Sequence, residues 1–180
     1  QPNSLSSFDN HYNNILLTYQ YAWNPSQDMY WYDKTTYTDF YCYYPYTYHI
    51  DDVYSMQFTV SSDQRNLSSL KASDFTWGKT TGVYPTLDPV SIQTNHIMSS
   101  IKVYIEPGDG FTYESLSSSN ISVSLQGVKN NAQIDLEAGS VSAVGDCGEM
   151  HLYRDSDCFR GIVVPQYAYQ NEGFMIVVNV

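Results

Sequence analysis

The sequence predicts an all-β fold, a two-sheet antiparallel β-sandwich of about nine or ten short strands with little helix. Three observations carry that prediction. Ile101, Val103 and Ile105 alternate with Lys102 and Tyr104 and stop at Pro107-Gly108-Asp109-Gly110, the pattern of a half-buried strand ended by a turn. The pattern returns at Ile121, Val123 and Leu125 against Ser122, Ser124 and Gln126, closed by Gly127. No stretch sustains the apolar i, i+3, i+4, i+7 repeat that a packed helix needs.

Each element has its own local reason. Ile15-Leu16-Leu17-Thr18-Tyr19-Gln20-Tyr21 is rich in strand formers, Asn24-Pro25-Ser26-Gln27-Asp28 is a turn cluster, and Met29-Tyr30-Trp31-Tyr32 resumes an extended pattern. A hairpin turning at Asn24–Asp28 is therefore expected. From Asp39 to Tyr46, Phe40, Cys42 and Tyr44 share one face and Pro45 ends the pairing. Met56, Phe58 and Val60 alternate ahead of a polar segment from Ser61 to Ser69, and Ser73-Asp74-Phe75-Thr76-Trp77-Gly78-Lys79 follows. Val83 to Leu87 carries a weaker strand pattern. Tyr113 to Ser118 is a candidate for one or two helical turns, weakened by serines that compete for the backbone. Phe174-Met175-Ile176-Val177-Val178-Asn179-Val180 is apolar on both faces through Val178 and reads as a central, buried strand away from any open edge. Ile101, Val103, Ile105, Ile121, Val123, Leu125, Ile162, Val164 and Ile176 are expected to form one core, with Lys102, Ser122, Ser124 and Asp135 facing water.

A chain of 180 residues with 42% hydrophobic composition fits a single domain spanning 1–180. Its net charge of -11 opposes binding to nucleic acid or to an anionic membrane surface. No long aliphatic stretch is present to span a bilayer. Cys42, Cys147 and Cys158 are an odd number, so at least one is unpaired within a monomer. If Arg154-Asp155-Ser156-Asp157 is a hairpin turn, Cys158 lies opposite Tyr153, which argues against a Cys147 to Cys158 bridge.

The charged residues do not form a recognisable active site. Ser156, Asp157 and His151 lack the strand-turn-helix setting of a nucleophile elbow. Glu106, Asp109 and Glu114 surround a turn without the calcium-loop pattern, and are read as solvated. Cys147, His151 and Cys158 lack the paired spacing of a zinc site. His49 beside Asp51 and Asp52 reads as a polar loop. No cofactor, metal or catalytic residue is therefore assigned. Eleven of the eighteen tyrosines fall between Tyr19 and Tyr54. Tyrosine and tryptophan stack on sugar rings and carry hydrogen-bonding tips, so Trp31, Tyr43, Tyr46 and Tyr48 are candidates for contact with a glycan, or alternatively with another subunit.

Several of these elements together resemble the fimbrillin family of Bacteroides-type bacteria. The resemblance rests on His96-Ile97-Met98-Ser99-Ser100-Ile101-Lys102-Val103, the turn after it, Val123-Ser124-Leu125-Gln126-Gly127, Ile134-Asp135-Leu136-Glu137-Ala138-Gly139 and Val163-Val164-Pro165-Gln166. The runs Asp39-Phe40-Tyr41-Cys42-Tyr43-Tyr44-Pro45-Tyr46 and Asp74-Phe75-Thr76-Trp77-Gly78 are similar to further family segments, and the likeness extends from Ile15 to Val180. Ser100 stands where many relatives carry lysine.

The resemblance implies a transthyretin-like sandwich and a non-enzymatic subunit or accessory component of a type V pilus, exported as a lipoprotein to the outer membrane and acting in adhesion. Its partners would be other pilus subunits and a host glycan or protein, with the membrane reached only through a lipid anchor upstream of this chain. Assembly in the family exchanges a strand between neighbours after an Arg- or Lys-directed cleavage. No Arg or Lys precedes Lys34, so that cleavage site is expected upstream of Gln1 or not at all. Phe174, Ile176 and Val178 are the candidate strand-exchange residues, and one sheet edge is expected to carry unpaired backbone beside exposed core. The alternative is a monomeric glycan-binding surface lipoprotein that uses exposed tyrosine and tryptophan.

Overall fold

Residues 12–167 and 173–180 are described by the computed structural model of the chain. Strand makes up 43% of it and helix 7%, and the fold is all-β as the alternation predicts. The elements are β1 (Leu17–Gln20), β2 (Ala22–Pro25), β3 (Thr38–Tyr44), β4 (Met56–Thr59), α1 (Leu67–Ala72), β5 (Thr76–Val83), β6 (Asn95–His96) and β7 (Ser99–Val103). They continue with α2 (Tyr113–Ser118), β8 (Ser122–Asp135), β9 (Ser140–His151), β10 (Tyr153–Arg154), β11 (Phe159–Val163) and β12 (Met175–Asn179). Among the described residues the count exceeds the expected nine or ten through β6 and β10, which are only two residues each. The backbone gathers into two units, Gln1–Met56 with Phe75–His96 and Ile134–Ser140, and Gln57–Asp74 with Ile97–Gln133 and Val141–Val180.

In the first unit β1 and β2 form an antiparallel hairpin, and β3, β5 and β6 form a sheet in the order β3-β5-β6. The hairpin turns at Tyr21, whose φ is 64°, and not at Asn24–Asp28, so Asn24 and Pro25 belong to its second strand. The expected strand at Met29–Tyr32 is absent; those residues form a loop. On the sheet Tyr43 pairs with Trp77, and the Tyr43 ring stacks on Phe75 at 5.7 Å with 5° between the planes. The Trp77 indole donates to the Leu136 carbonyl at 2.7 Å, and Phe75, Ile134 and Leu136 are buried. Two glycines are set by this packing. A Cβ on Gly78 would overlap the Gln93 carbonyl, and one on Gly139, whose φ is +69°, would enter the Trp77 ring.

The second unit holds a sheet in the order β10-β11-β7 and most of a sheet in which β8 pairs with β12, β4 and β9. Ile121, Val123, Leu125, Val128, Met150, Leu152, Phe159, Val163 and Val164 are buried there. Gln64, fully buried, donates from Nε2 to the carbonyls of Ile162 at 2.7 Å and Ser61 at 3.0 Å and accepts from the Ile162 N–H at 2.8 Å. Its own N–H donates to the His151 carbonyl, so it joins β9 to β11. Gln166 grips β8 in the same way, accepting from the Lys129 N–H at 2.9 Å and donating to the Lys129 carbonyl at 3.0 Å.

Several expectations need correction. The polar segment from Ser61 to Ser69 contains the start of α1, capped by Asn66, whose side chain accepts from the Ser69 N–H at 2.8 Å. Ile162 is half-buried because its face looks toward Leu67 and Leu70 of α1, while Phe159, Gly161 and Val163 face the interior. Ile101, Val103 and Ile105 are likewise only half-buried. Ser124 is buried and donates to Glu149 at 2.7 Å instead of facing water, and Asp135 is half-buried, holding the N–H groups of Glu137 and Ala138. Tyr113–Ser118 is helical as proposed; Thr112 and Ser115 form a reciprocal capping box, so serine there nucleates the turn. Cys158 faces Asp155, whose N–H reaches its carbonyl, because the pairing of Tyr153 with Arg160 shifts the expected register by two residues. All three cysteines are free thiols.

Candidate functional site

The tyrosine segment lies in the first unit, and the structure divides its residues between support and display. Trp31 is half-buried, donating from Nε1 to the Thr86 carbonyl at 2.8 Å and meeting Phe40 edge-on at 5.7 Å. Tyr43 is half-buried in its stack on Phe75, with its hydroxyl donating to Asn14 Oδ1 at 2.6 Å, and burial pushes its ionisation upward. Trp31 and Tyr43 therefore hold the fold, and Tyr46 and Tyr48 remain exposed. The displayed aromatics include pairs that spacing alone does not reveal. Tyr19 and Trp23 face each other across the hairpin at 5.4 Å, and Tyr37 meets Tyr84 at 5.3 Å, both edge-on. Only the second pair requires tertiary information, since Tyr37 and Tyr84 extend the Thr38–Val83 end of the β3–β5 ladder.

Electrostatically this unit is acidic. The Thr36 hydroxyl and the N–H groups of Thr35 and Thr36 hold the Asp33 carboxyl down at about 2. Burial pushes the Tyr41 phenol up, assisted by the charges of Asp39 and Glu137. His49 pairs with Asp51 at 2.9 Å on the surface, as a polar loop would.

The second candidate is the edge of the β8 sheet. β12 runs antiparallel to β8, with Ile176 opposite Leu125 and Val178 opposite Val123. Directly opposed residues share a face, and Leu125 and Val123 are buried. Ile176 and Val178 thus lie on the core-facing side, yet they are 50% and 42% exposed. Phe174 is half-buried. Among the described residues β12 has no strand neighbour other than β8, so the reading of this segment as a central strand is corrected: it is an edge. Among the described residues nothing covers Ile176 and Val178 fully, whereas Val177 on the other face is half-buried.

No three His, Cys, Asp or Glu side chains among the described residues cluster as metal ligands would. Cys147 is exposed, His151 half-buried and Cys158 buried. No helix among the described residues is long and apolar enough to cross a membrane.

Residues 2–180 match the sequence model of the fimbrillin-like family. The fold is similar to that of a protein from Bacteroides uniformis ATCC 8492 provisionally assigned to cell adhesion, with a TM-score of 0.70 and 22% identity over 88% of this chain and 60% of that one. It is also similar to a protein of the same provisional assignment from Bacteroides ovatus ATCC 8483, with a TM-score of 0.67 and 17% identity over 87% of this chain and 59% of that one. The chain therefore spans about three-fifths of the length of these solved structures. No curated protein matches it.

Proposed function

We propose that this chain, which belongs to the fimbrillin-like family, is a non-enzymatic cell-surface subunit or accessory component of a type V pilus. In this reading it acts in adhesion and joins its neighbours by strand exchange. The observation that supports it is the β12 edge. A strand from another subunit would pair along the side of β12 that no described strand occupies and cover Ile176 and Val178, which share a face with buried Leu125 and Val123. Burial of apolar surface is favourable by roughly 25 cal/mol per Å², so this edge favours an added strand over water. The family's export route as a lipid-anchored outer-membrane precursor belongs to the same reading.

The test is a family-type donor-strand peptide added to the monomeric chain. Binding to the native state raises the thermal midpoint with peptide concentration, and the peptide suppresses self-association in sedimentation. A closed edge would leave both quantities unchanged, and strand exchange would then be the wrong mechanism. A monomer that binds glycans through tyrosine and never associates would favour the rival surface-lectin reading.

A further inference from the structure

The first unit carries an aromatic, acidic surface at one end of the β3–β5 ladder. Two segments build it, residues 28–39 and 82–88. They are tied together by the Trp31 indole on the Thr86 carbonyl, the Tyr37–Tyr84 ring contact, and the Gly82 N–H, which donates to Asp39 Oδ1 at 2.6 Å. Tyr30, Tyr32, Tyr37 and Tyr84 are all exposed here. Asp28, Asp33, Asp39 and Asp88 bring four carboxylates, against the single cation Lys34. Asp39 braces this surface from within: its Oδ1 takes the Gly82 N–H, and its Oδ2 is shielded from water with no hydrogen-bond partner among the described residues.

We propose that this surface is the docking site for a Lys- or Arg-bearing segment of a partner protein. Aromatic faces attract cations through the ring quadrupole, and the attraction grows with desolvation; carboxylates among the rings add charge-assisted hydrogen bonds to a guanidinium or ammonium. The unit already shows the first of these contacts, with Lys79 Nζ lying 5.7 Å from the Trp77 ring centre. Charge decides between partners. A neutral sugar stacks on tyrosine and donates its hydroxyls to carboxylates, but it carries no charge to answer the net negative field; an acidic sugar is repelled by that field, and a basic segment uses both the rings and the charge. The inference rests on the adhesive part of the proposed function and not on strand exchange. Monomeric protein therefore suffices to test it, and failure leaves the polymerisation reading untouched.

The experiment measures binding of a fluorescent Arg-Gly repeat peptide to the full chain by anisotropy, beside a matched Gln-Gly peptide and a set of neutral glycans. The Arg peptide is expected to bind and the Gln peptide to fail. Tyr37→Ser with Tyr84→Ser should weaken binding by about tenfold, and Tyr37→Phe with Tyr84→Phe should change it by less than about twofold, because phenylalanine keeps the ring face. Asp28→Asn with Asp88→Asn should weaken it by about fivefold. Asp109→Asn with Asp146→Asn removes the same charge from the second unit and should have less than about half that effect. Thermal midpoints confirm that each variant is folded. Equal losses from the two asparagine pairs would reduce the interaction to bulk attraction by a polyanion and overturn the site. So would absence of peptide binding, or glycan binding that the serine pair abolishes.

Discussion

Replacing Gln64 with leucine tests the join between β9 and β11. The side chain is fully buried and makes three hydrogen bonds to backbone, two donated to the carbonyls of Ile162 and Ser61 and one accepted from the Ile162 N–H. Leucine fills much of the same volume, so cavity formation contributes little, and the cost comes from three backbone groups stripped of partners in a water-poor interior. Each buried unsatisfied group costs about 1–3 kcal/mol. Partial relaxation and water entry reduce the sum, and a loss of about 3 kcal/mol is expected. At roughly 2–4 °C per kcal/mol for a chain of this size, the thermal midpoint should fall by about 6–12 °C. Urea denaturation at neutral pH measures the free energy directly, with the slope unchanged if the unfolded ensemble is the same. Gln64→Glu extends the test. The carboxylate would place a negative charge against the Ile162 carbonyl, so its folded-state ionisation is raised. Stability is then greatest below the ordinary glutamate value near about 4.3 and falls as pH rises through the raised folded value. A leucine variant that loses less than about 1 kcal/mol would refute the reasoning.

Other substitutions probe the remaining claims. Gly139→Ala should cost about 2–4 kcal/mol in urea titration, since it combines a left-handed backbone with a Cβ inside the Trp77 ring; a neutral result would mean that the 134–140 turn moves freely. Ile176→Asp with Val178→Asp should abolish association and donor-peptide binding while costing the monomer only about 1 kcal/mol, because both side chains are about half exposed; sedimentation and thermal melts read the two effects separately. The Asp33 turn should contribute its full stability above the ordinary aspartate value of 3.8 and lose it as pH falls toward about 2, since its carboxyl is depressed in the folded state; a carbon-13 titration midpoint near the ordinary value would contradict that. Of the thiols, exposed Cys147 should react at once with a disulfide reagent, whereas Cys158, buried and with its ionisation pushed up by that burial, should react only on unfolding.

What the sequence made legible follows from the physics of each segment. Ile121, Val123 and Leu125 announce a buried face because alternation is the direct imprint of a pleated strand with one side in the core. The same logic misassigned Ile162, since α1 covers the opposite face of β11 and turns an outward position into a half-buried one. α1 itself was hidden in a polar run; its signal was the Asn66 cap followed by Leu67 and Leu70 on one face, too short for periodicity to register. The hairpin turn at Tyr21 has no compositional mark, because tyrosine rarely adopts positive φ. β12 shows the deeper limit. Apolar residues on both faces indicate surface that is costly to leave in water, but not whether the same chain or another one covers it. At the aromatic surface, tyrosine density was visible from composition, while the distinction between supporting Tyr43 and displayed Tyr84 depended on which rings meet Phe75 and Tyr37.

The two glutamine grips limit where a foreign strand can attach. At Ile162 and at Lys129 a side-chain amide occupies the donor and acceptor that an adjacent backbone would otherwise take. An amide of this kind is an end stop: it satisfies one residue of the ladder and offers no continuing ladder for a further strand. An incoming chain must first displace it, losing the remaining bonds from Gln64 to Ser61 or from Gln166 to the Val164 carbonyl. At these two places the protein acts as its own competitor, whereas among the described residues no side-chain amide grips the backbone of β12 in this way. Under the proposed strand exchange, the two grips bias strand addition away from Ile162 and Lys129 and toward β12, the kind of bias that favours a linear fibre over a branched aggregate.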